Sequence, residues 1–214
     1  MRVIAPEGYP FVLLPATAGL LVWFFGYPPV AVGLWLMALA CVGFFRDPQR
    51  SSSAPVDAIL APADGKVLLV GDAPAALAAR GLPQQVSIFM SPVNVHVNRA
   101  PIAGMVREAH YIPGAKLPAF RDKASELNEH SFVVIEGEFG TVAYKQIAGA
   151  VARRVVCDLK EGDAVVRGQR VGIIKFSSRV DMFLPAQAVI ELQPGQRTQA
   201  GVTVVGRLTK VTST

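Results

Sequence analysis

Cysteine and histidine are scarce in this chain, and charge is missing from most of its N-terminal segment. The two cysteines, Cys41 and Cys157, lie far apart, and Cys41 falls within an apolar stretch. That excludes a disulfide framework and suits a reducing compartment. Three scattered histidines and these two cysteines give no metal-ligand spacing, so no metal site is expected. There is no zinc-finger spacing, no interleaving of aromatic and basic residues, and no low-complexity tract. Nucleic acid is therefore not an expected partner, although the net charge is +5. An anionic membrane surface accounts for that excess of Lys and Arg instead.

The missing charge marks the first feature that is present. No charged residue occurs from Gly8 to Phe45, whereas about 20 apolar residues are enough for one membrane span. Gly26-Tyr27-Pro28-Pro29 breaks the run into two short arms, Phe11 to Phe25 and Val30 to Phe45. A helical hairpin fits this pattern better than a cleaved signal peptide, given Glu7, a weak basic start and the second arm. Arg2, Arg46 and Arg50 then fall on one side, which the positive-inside rule makes cytoplasmic. Residues 1–46 are read as the membrane-associated hairpin, 47–57 as a polar linker and 58–214 as a β-rich domain large enough to bury a core without disulfides.

Beyond the linker, short β-type runs alternate with turn residues from Ala58 to Leu208. They include Lys66–Val70, Gln85–Met90, Gly140–Ile147, Val151–Asp158, Ala164–Phe176 and Val180–Leu184. Pro74–Arg80 suits one short helix, and Lys116–Leu127 is irregular with a helical turn. Ala61–Val67 and Glu161–Gly172 resemble the paired hammerheads of biotinyl and lipoyl domains, without their modified-lysine hairpin. The expected fold is mainly β (α+β), a compact sandwich or barrel with hammerhead-like strands after the helical hairpin.

Three places carry candidate chemistry. Ser177-Ser178 interrupts an apolar strand between Lys175 and Asp181, as a turn or as a reactive hydroxyl. His96 lies in Ser91–Pro101, where alternation puts Val93, Val95 and Val97 on one face and Asn94, His96 and Asn98 on the other. Asp64-Gly65 suits a tight turn as well as a site. Asp64, His96 and Ser178 form an acid, base and hydroxyl set, but order alone carries little weight.

Several motifs in order give these residues more meaning. They are Phe44-Phe45-Arg46-Asp47-Pro48, Ala61-Pro62-Ala63-Asp64-Gly65, and Phe89-Met90-Ser91-Pro92 with Asn94-Val95-His96 and Asn98-Arg99. Tyr111 with Pro113-Gly114, Lys123–Glu129, Gln146–Gly149 with Ala152-Arg153-Arg154, and Ser178–Asp181 complete the set. Together they resemble the phosphatidylserine decarboxylases of the short bacterial and archaeal kind, over most of the chain. The resemblance implies a precursor that cleaves itself between Ser177 and Ser178 into a large and a small chain. Ser178 would become a covalent pyruvoyl cofactor, with His96 as base and Asp64 orienting its ring. The implied reaction converts phosphatidylserine to phosphatidylethanolamine and CO2 through a Schiff base at a cell membrane, with the catalytic domain on the cytoplasmic side. Homo-oligomerisation is left open.

This chain departs from the family pattern at two positions. Ser177 stands where Gly is usual, which gives up open access to the carbonyl that must be attacked. Arg99 stands where longer members carry a second histidine, so the base role passes to His96. Two other readings compete: a non-catalytic membrane-anchored adaptor of hammerhead type, and a relative that has lost self-cleavage.

Overall fold

The computed structural model describes residues 3–115, 117, 124–149, 154–175 and 178–209. The chain forms two compact units, residues 1–49 and 50–214. Ser177, Phe176, Arg2, Arg153 and the stretch 118–123 lie outside the described residues.

The first unit is a helical hairpin. A 3-10 turn at Pro6–Gly8 leads into α1 (Tyr9–Phe24), and α2 spans Pro28–Phe44. Gly26, at φ 83°, turns the chain between them, in a left-handed conformation that side chains disfavour. Pro28 and Pro29 then open α2, where a missing N–H costs no helical hydrogen bond. The helices meet through a stacked Trp23–Trp35 pair, 5.6 Å between centroids, and Trp35 Nε1 donates to the Ala16 carbonyl at 3.3 Å. Gly19 makes that approach feasible, because a Cβ there would lie 2.5 Å from the indole nitrogen. The base of the hairpin is tied by Ala5 N–H to Phe45 O at 2.8 Å and Asp47 N–H to Val3 O at 2.9 Å. Most outward side chains are large and apolar, and Leu14, Phe24 and Leu39 are all largely exposed.

The second unit is built from antiparallel strands. In chain order they are β1 (Ala58–Leu60), β2 (Gly65–Asp72), β3 (Gln84–Met90), β4 (Val97–Arg99), β5 (Gly104–Ile112), β6 (His130–Gly137) and β7 (Gly140–Ala148). They continue with β8 (Val155–Cys157), β9 (Ala164–Val165), β10 (Arg170–Ile174), β11 (Ser178–Leu184), β12 (Ala188–Ile190), β13 (Arg197–Thr198) and β14 (Val204–Leu208). Two short helices, α3 (Ala75–Ala78) and α4 (Ala124–Leu127), punctuate them. The main sheet has the order β13-β2-β3-β11-β7-β6-β5-β9 and curls into a half-barrel. Two three-stranded sheets, β1-β14-β12 and β4-β10-β8, complete the unit. The mainly β fold with an N-terminal helical region is therefore as the sequence implied.

Alternation within β11 explains its central place. Val180, Met182 and Leu184 join the main core with Val86, Ile88, Met90 and Tyr144. Phe183 points to the other face, into a second cluster with Leu77, Leu82, Phe132, Val134 and Ala143. A strand buried on both faces and paired with β3 and β7 on its two edges is the most enclosed element of the sheet.

Two expected runs are shorter in the structure. Ala164–Phe176 divides into β9 and β10, because Val166–Gln169 forms a turn with Gly168 at φ 81°. The expected alternation over Ser91–Pro101 gives a strand only at Val97–Arg99. The Asn94 carboxamide accepts from Ser91 N–H at 2.8 Å and from Ser91 Oγ at 2.7 Å. A local side-chain bond of this kind competes with extension and folds residues 91–94 into a turn.

Candidate functional site

The site begins at the first residue of β11. Ser178 is fully buried. Its register opposite Met90 and Ala148 puts its side chain on the main-core side. The hydroxyl donates to Met90 Sδ at 3.2 Å. A thioether is a weak acceptor, so the hydroxyl is held in place without a strong competing bond.

The next residues on the opposite face anchor the strand. Arg179 Nε donates to Asp181 Oδ1 at 2.6 Å, and its Nη2 donates to Ser87 Oγ at 2.9 Å. Ser125 Oγ donates to Asp181 Oδ2 at 2.6 Å. The pair is enclosed, with side-chain exposures of 7% and 0%. Breaking such a buried pair on one side costs several kcal/mol, so it pins the register immediately after Ser178.

His96 is also fully buried. It follows the Ser91–Asn94 turn, and Nδ1 lies 2.9 Å from the Asn94 carbonyl. A carbonyl only accepts, so Nδ1 carries the proton in the neutral ring, and the lone pair is on Nε2. The orientation of the imidazole is thus set by its own backbone neighbour. The His96 carbonyl accepts from Ile174 N–H at 3.3 Å, which links this turn to the end of β10.

Asp64 occupies the Ala61–Gly65 turn and is largely buried. Its carboxylate is held in a fork by Arg50, with Nη1 on Oδ1 and Nη2 on Oδ2 at 2.8 Å. Oδ1 also accepts from Ala200 N–H at 2.8 Å. Among the described residues the carboxylate thus bonds to Arg50 and Ala200, and the His96 ring is not one of these partners. The turn is pinned by Thr198 Oγ1 on the Ala63 carbonyl at 2.9 Å. Gly65 is required by close packing, since a Cβ there would sit 2.1 Å from the Phe89 carbonyl oxygen.

The three residues singled out in the sequence are therefore distributed as follows. Ser178 and the His96 segment converge through Met90 and Asn98: Asn98 Nδ2 faces the same sulfur as Ser178, at 3.7 Å. Asp64 joins through its own turn, because the Pro62 carbonyl two residues before it accepts Arg99 N–H at 2.9 Å and faces Asn98 Nδ2 at 3.4 Å. Of the other histidines, His110 is exposed beside Glu108, 3.7 Å away. His130 is buried on β6 with Nδ1 2.7 Å from the Asn128 carbonyl, and burial pushes its pKa below the usual histidine value. Cys41 and Cys157 are free thiols, and burial pushes Cys157 up, away from thiolate reactivity.

Sequence reasoning missed Arg50, Met90 and the buried amide pair of Asn98 and Gln146 as parts of the site. One signal was available: Gln146 is a polar residue in line with the buried apolar Val142, Tyr144 and Ala148 of its strand, and such a residue needs a partner.

Comparison with known proteins adds a further finding. A family model described as phosphatidylserine decarboxylase matches residues 37–206. A protein of Magnetococcus marinus described as a phosphatidylserine decarboxylase proenzyme is 45% identical over 211 residues, covering 96% of this chain and 95% of its own. One of Pelodictyon phaeoclathratiforme with the same description is 46% identical over 179 residues, covering 84% of each chain. A third, of Paraburkholderia xenovorans, is 41% identical over 207 residues, covering 96% of this chain and 97% of its own.

Proposed function

Because the chain belongs to the phosphatidylserine decarboxylase family, we propose that it decarboxylates phosphatidylserine to phosphatidylethanolamine after cleaving itself between Ser177 and Ser178. The observation that carries this reading is the extent of the family match, which takes in Asp64, His96 and Ser178 together. The buried, weakly held hydroxyl of Ser178 supports it.

The residues divide the work of self-cleavage. His96 Nε2 takes the proton of Ser178 Oγ, since a serine hydroxyl is a poor nucleophile near neutral pH. Oγ attacks the carbonyl carbon of residue 177, the bond from that carbon to the Ser178 nitrogen breaks, and the nitrogen is protonated. The product is an ester. Loss of the Ser178 α-proton then breaks the Cβ–Oγ bond and leaves residue 177 with a carboxylate. Hydrolysis of the resulting dehydroalanine releases ammonia and leaves a pyruvoyl group at position 178. Asp64 acts through the turn it stabilises with Arg50, which presents the Pro62 carbonyl to Asn98.

A pyruvoyl group fits position 178 by size, because it replaces a serine side chain already enclosed between Met90 and the core and lacks its Oγ. Such a group supplies the carbonyl electron sink for loss of CO2. His96, fully buried like Ser178, would serve there as proton donor and acceptor. The helical unit is assigned to the membrane, where the substrate resides, with the second unit on the cytoplasmic side.

Intact mass of the purified protein tests the reading. Two chains are expected, residues 1–177 and 178–214, the smaller blocked at its N-terminus. A single uncut chain with an ordinary N-terminus would overturn self-cleavage. Ser178→Ala and His96→Ala are each expected to stay uncut; normal processing of His96→Ala would remove the assigned base.

A further inference from the structure

Asn98 is a fully buried amide whose hydrogen bonds are unequal. Its oxygen is well served, because Gln146 Nε2 donates to Oδ1 at 2.8 Å. Gln146 is itself oriented by Ser131, whose hydroxyl donates to Oε1 at 2.7 Å. All three side chains are enclosed, at 0% to 1% exposure. This ladder fixes which end of Asn98 faces which way: Oδ1 faces Gln146, and the two N–H groups face the other side.

There the partners are poor. Nδ2 lies 3.4 Å from the Pro62 carbonyl, which already accepts Arg99 N–H at 2.9 Å. It lies 3.7 Å from Met90 Sδ, a weak acceptor. Native proteins rarely leave a buried donor so poorly served, because its lost hydration is not recovered. The same sulfur holds Ser178 Oγ at 3.2 Å. A rigidly held donor thus faces the same sulfur as the side-chain oxygen that the processing chemistry makes negative.

We propose that Asn98 donates through Nδ2 to the Ser178 side-chain oxygen as that oxygen leaves in the elimination step. The assignment rests on the self-cleavage reading above and adds to it the residue that stabilises the leaving group. In that step the α-proton of residue 178 passes to a base, the Cα–Cβ double bond forms, and the Cβ–Oγ bond breaks. The electron pair of that bond goes to Oγ, which departs as part of the residue-177 carboxylate. A neutral donor that is weakly engaged beforehand strengthens its bond as charge grows, and so lowers the barrier selectively. Asn98 is then a catalytic residue of maturation, and Gln146 and Ser131 position it.

Asn98→Asp in the full-length chain tests this. The substituted carboxylate still offers an oxygen to Gln146 Nε2 but has no hydrogen to donate when ionised. Pyruvoyl formation is expected to slow by roughly 10²-fold, the usual cost of one lost donor to a developing anion. The ester is expected to accumulate, visible as hydroxylamine-sensitive cleavage that yields a small chain beginning with unmodified Ser178. Lowering the pH is expected to speed the variant relative to the parent, because the introduced carboxyl can donate again once protonated. A parent chain that never cleaves would overturn the self-cleavage reading itself. A parent that cleaves beside a variant that matures at the same rate would overturn only the role of Asn98. So would a slow variant with no ester, since that places the defect before elimination. Asn98→Leu, checked for parental thermal stability, gives the same two outcomes without the charge.

Discussion

At the scale of single residues, the Arg50–Asp64 fork has a large energetic consequence. Both side chains are only 11% exposed, and the fork is completed by Ala200, which gives its N–H to Asp64 and its carbonyl to Arg50 at 3.0 Å. Removing one member leaves an enclosed charge without its counter-ion, at about 3–5 kcal/mol, whereas removing both with apolar residues costs far less. Arg50→Leu is therefore expected to lower unfolding stability by about 3 kcal/mol or more. The double variant Arg50→Leu/Asp64→Leu is expected to recover much of that loss, as measured by denaturant unfolding. Additive losses would show that the two side chains do not act as a pair. Asp64 was legible in the sequence because Asp-Gly after Ala-Pro-Ala is a recognisable turn. Arg50 was not: it sits in a polar stretch and meets its partner only when Ala61–Gly65 and Gln199–Gly201 fold together. Asn98 was visible as a polar residue on a strand, but its function depends on Gln146 and Met90, which come from two other strands.

At the scale of elements, the decisive feature is the contrast between β10 and β11. β10 belongs to the β4-β10-β8 sheet, whereas β11 lies in the middle of the eight-stranded sheet. The proposed cleavage at 177/178 falls between these two strands. β11 is paired with β3 along Ser178–Leu184 and with β7 along Ser178–Phe183, and β14 pairs with both β1 and β12. A cut between 177 and 178 thus breaks the chain without removing a strand from any sheet. The two chains are expected to co-elute under native conditions and to separate only in denaturant; a small chain lost on gel filtration in ordinary buffer would contradict this. Much of this architecture was readable from the sequence, because β-branched alternation marks strands such as Gln84–Met90 and Gly140–Ala148. The break within Ala164–Phe176 was not, since Val165-Val166 continues the apolar pattern while Gly168 turns the backbone. The division of strands among three sheets depends on long-range register, which no local pattern encodes.

At the scale of the whole molecule, the helical unit sets a condition on where the protein can work. The segment Pro6–Phe24 is long and apolar enough to cross a membrane, and α2 is shorter at 17 residues. The apolar side chains on these helices do not alternate with a polar face. Val22, Trp23, Phe24 and Phe25 are consecutive, and Leu13 and Leu14 are both exposed. Helices that are apolar all round require either protein or lipid around them. The chain also carries a net charge of +5, which would hold it to anionic bilayers by a different force. Salt separates the two. Electrostatic adsorption is screened beyond about 3 Å at 1 M ionic strength, whereas burial of apolar side chains in hydrocarbon is not weakened by salt. The full chain is expected to float with vesicles of mixed neutral and anionic lipid and to stay with them in 1 M salt. Replacing Leu14, Leu21, Phe24 and Leu39 together by Ser should release it in salt while leaving self-cleavage between 177 and 178 intact, because those positions lie in the first unit and the reacting residues in the second. Release of the parent chain by salt alone would show that its charge, and not the hairpin, holds it to the bilayer.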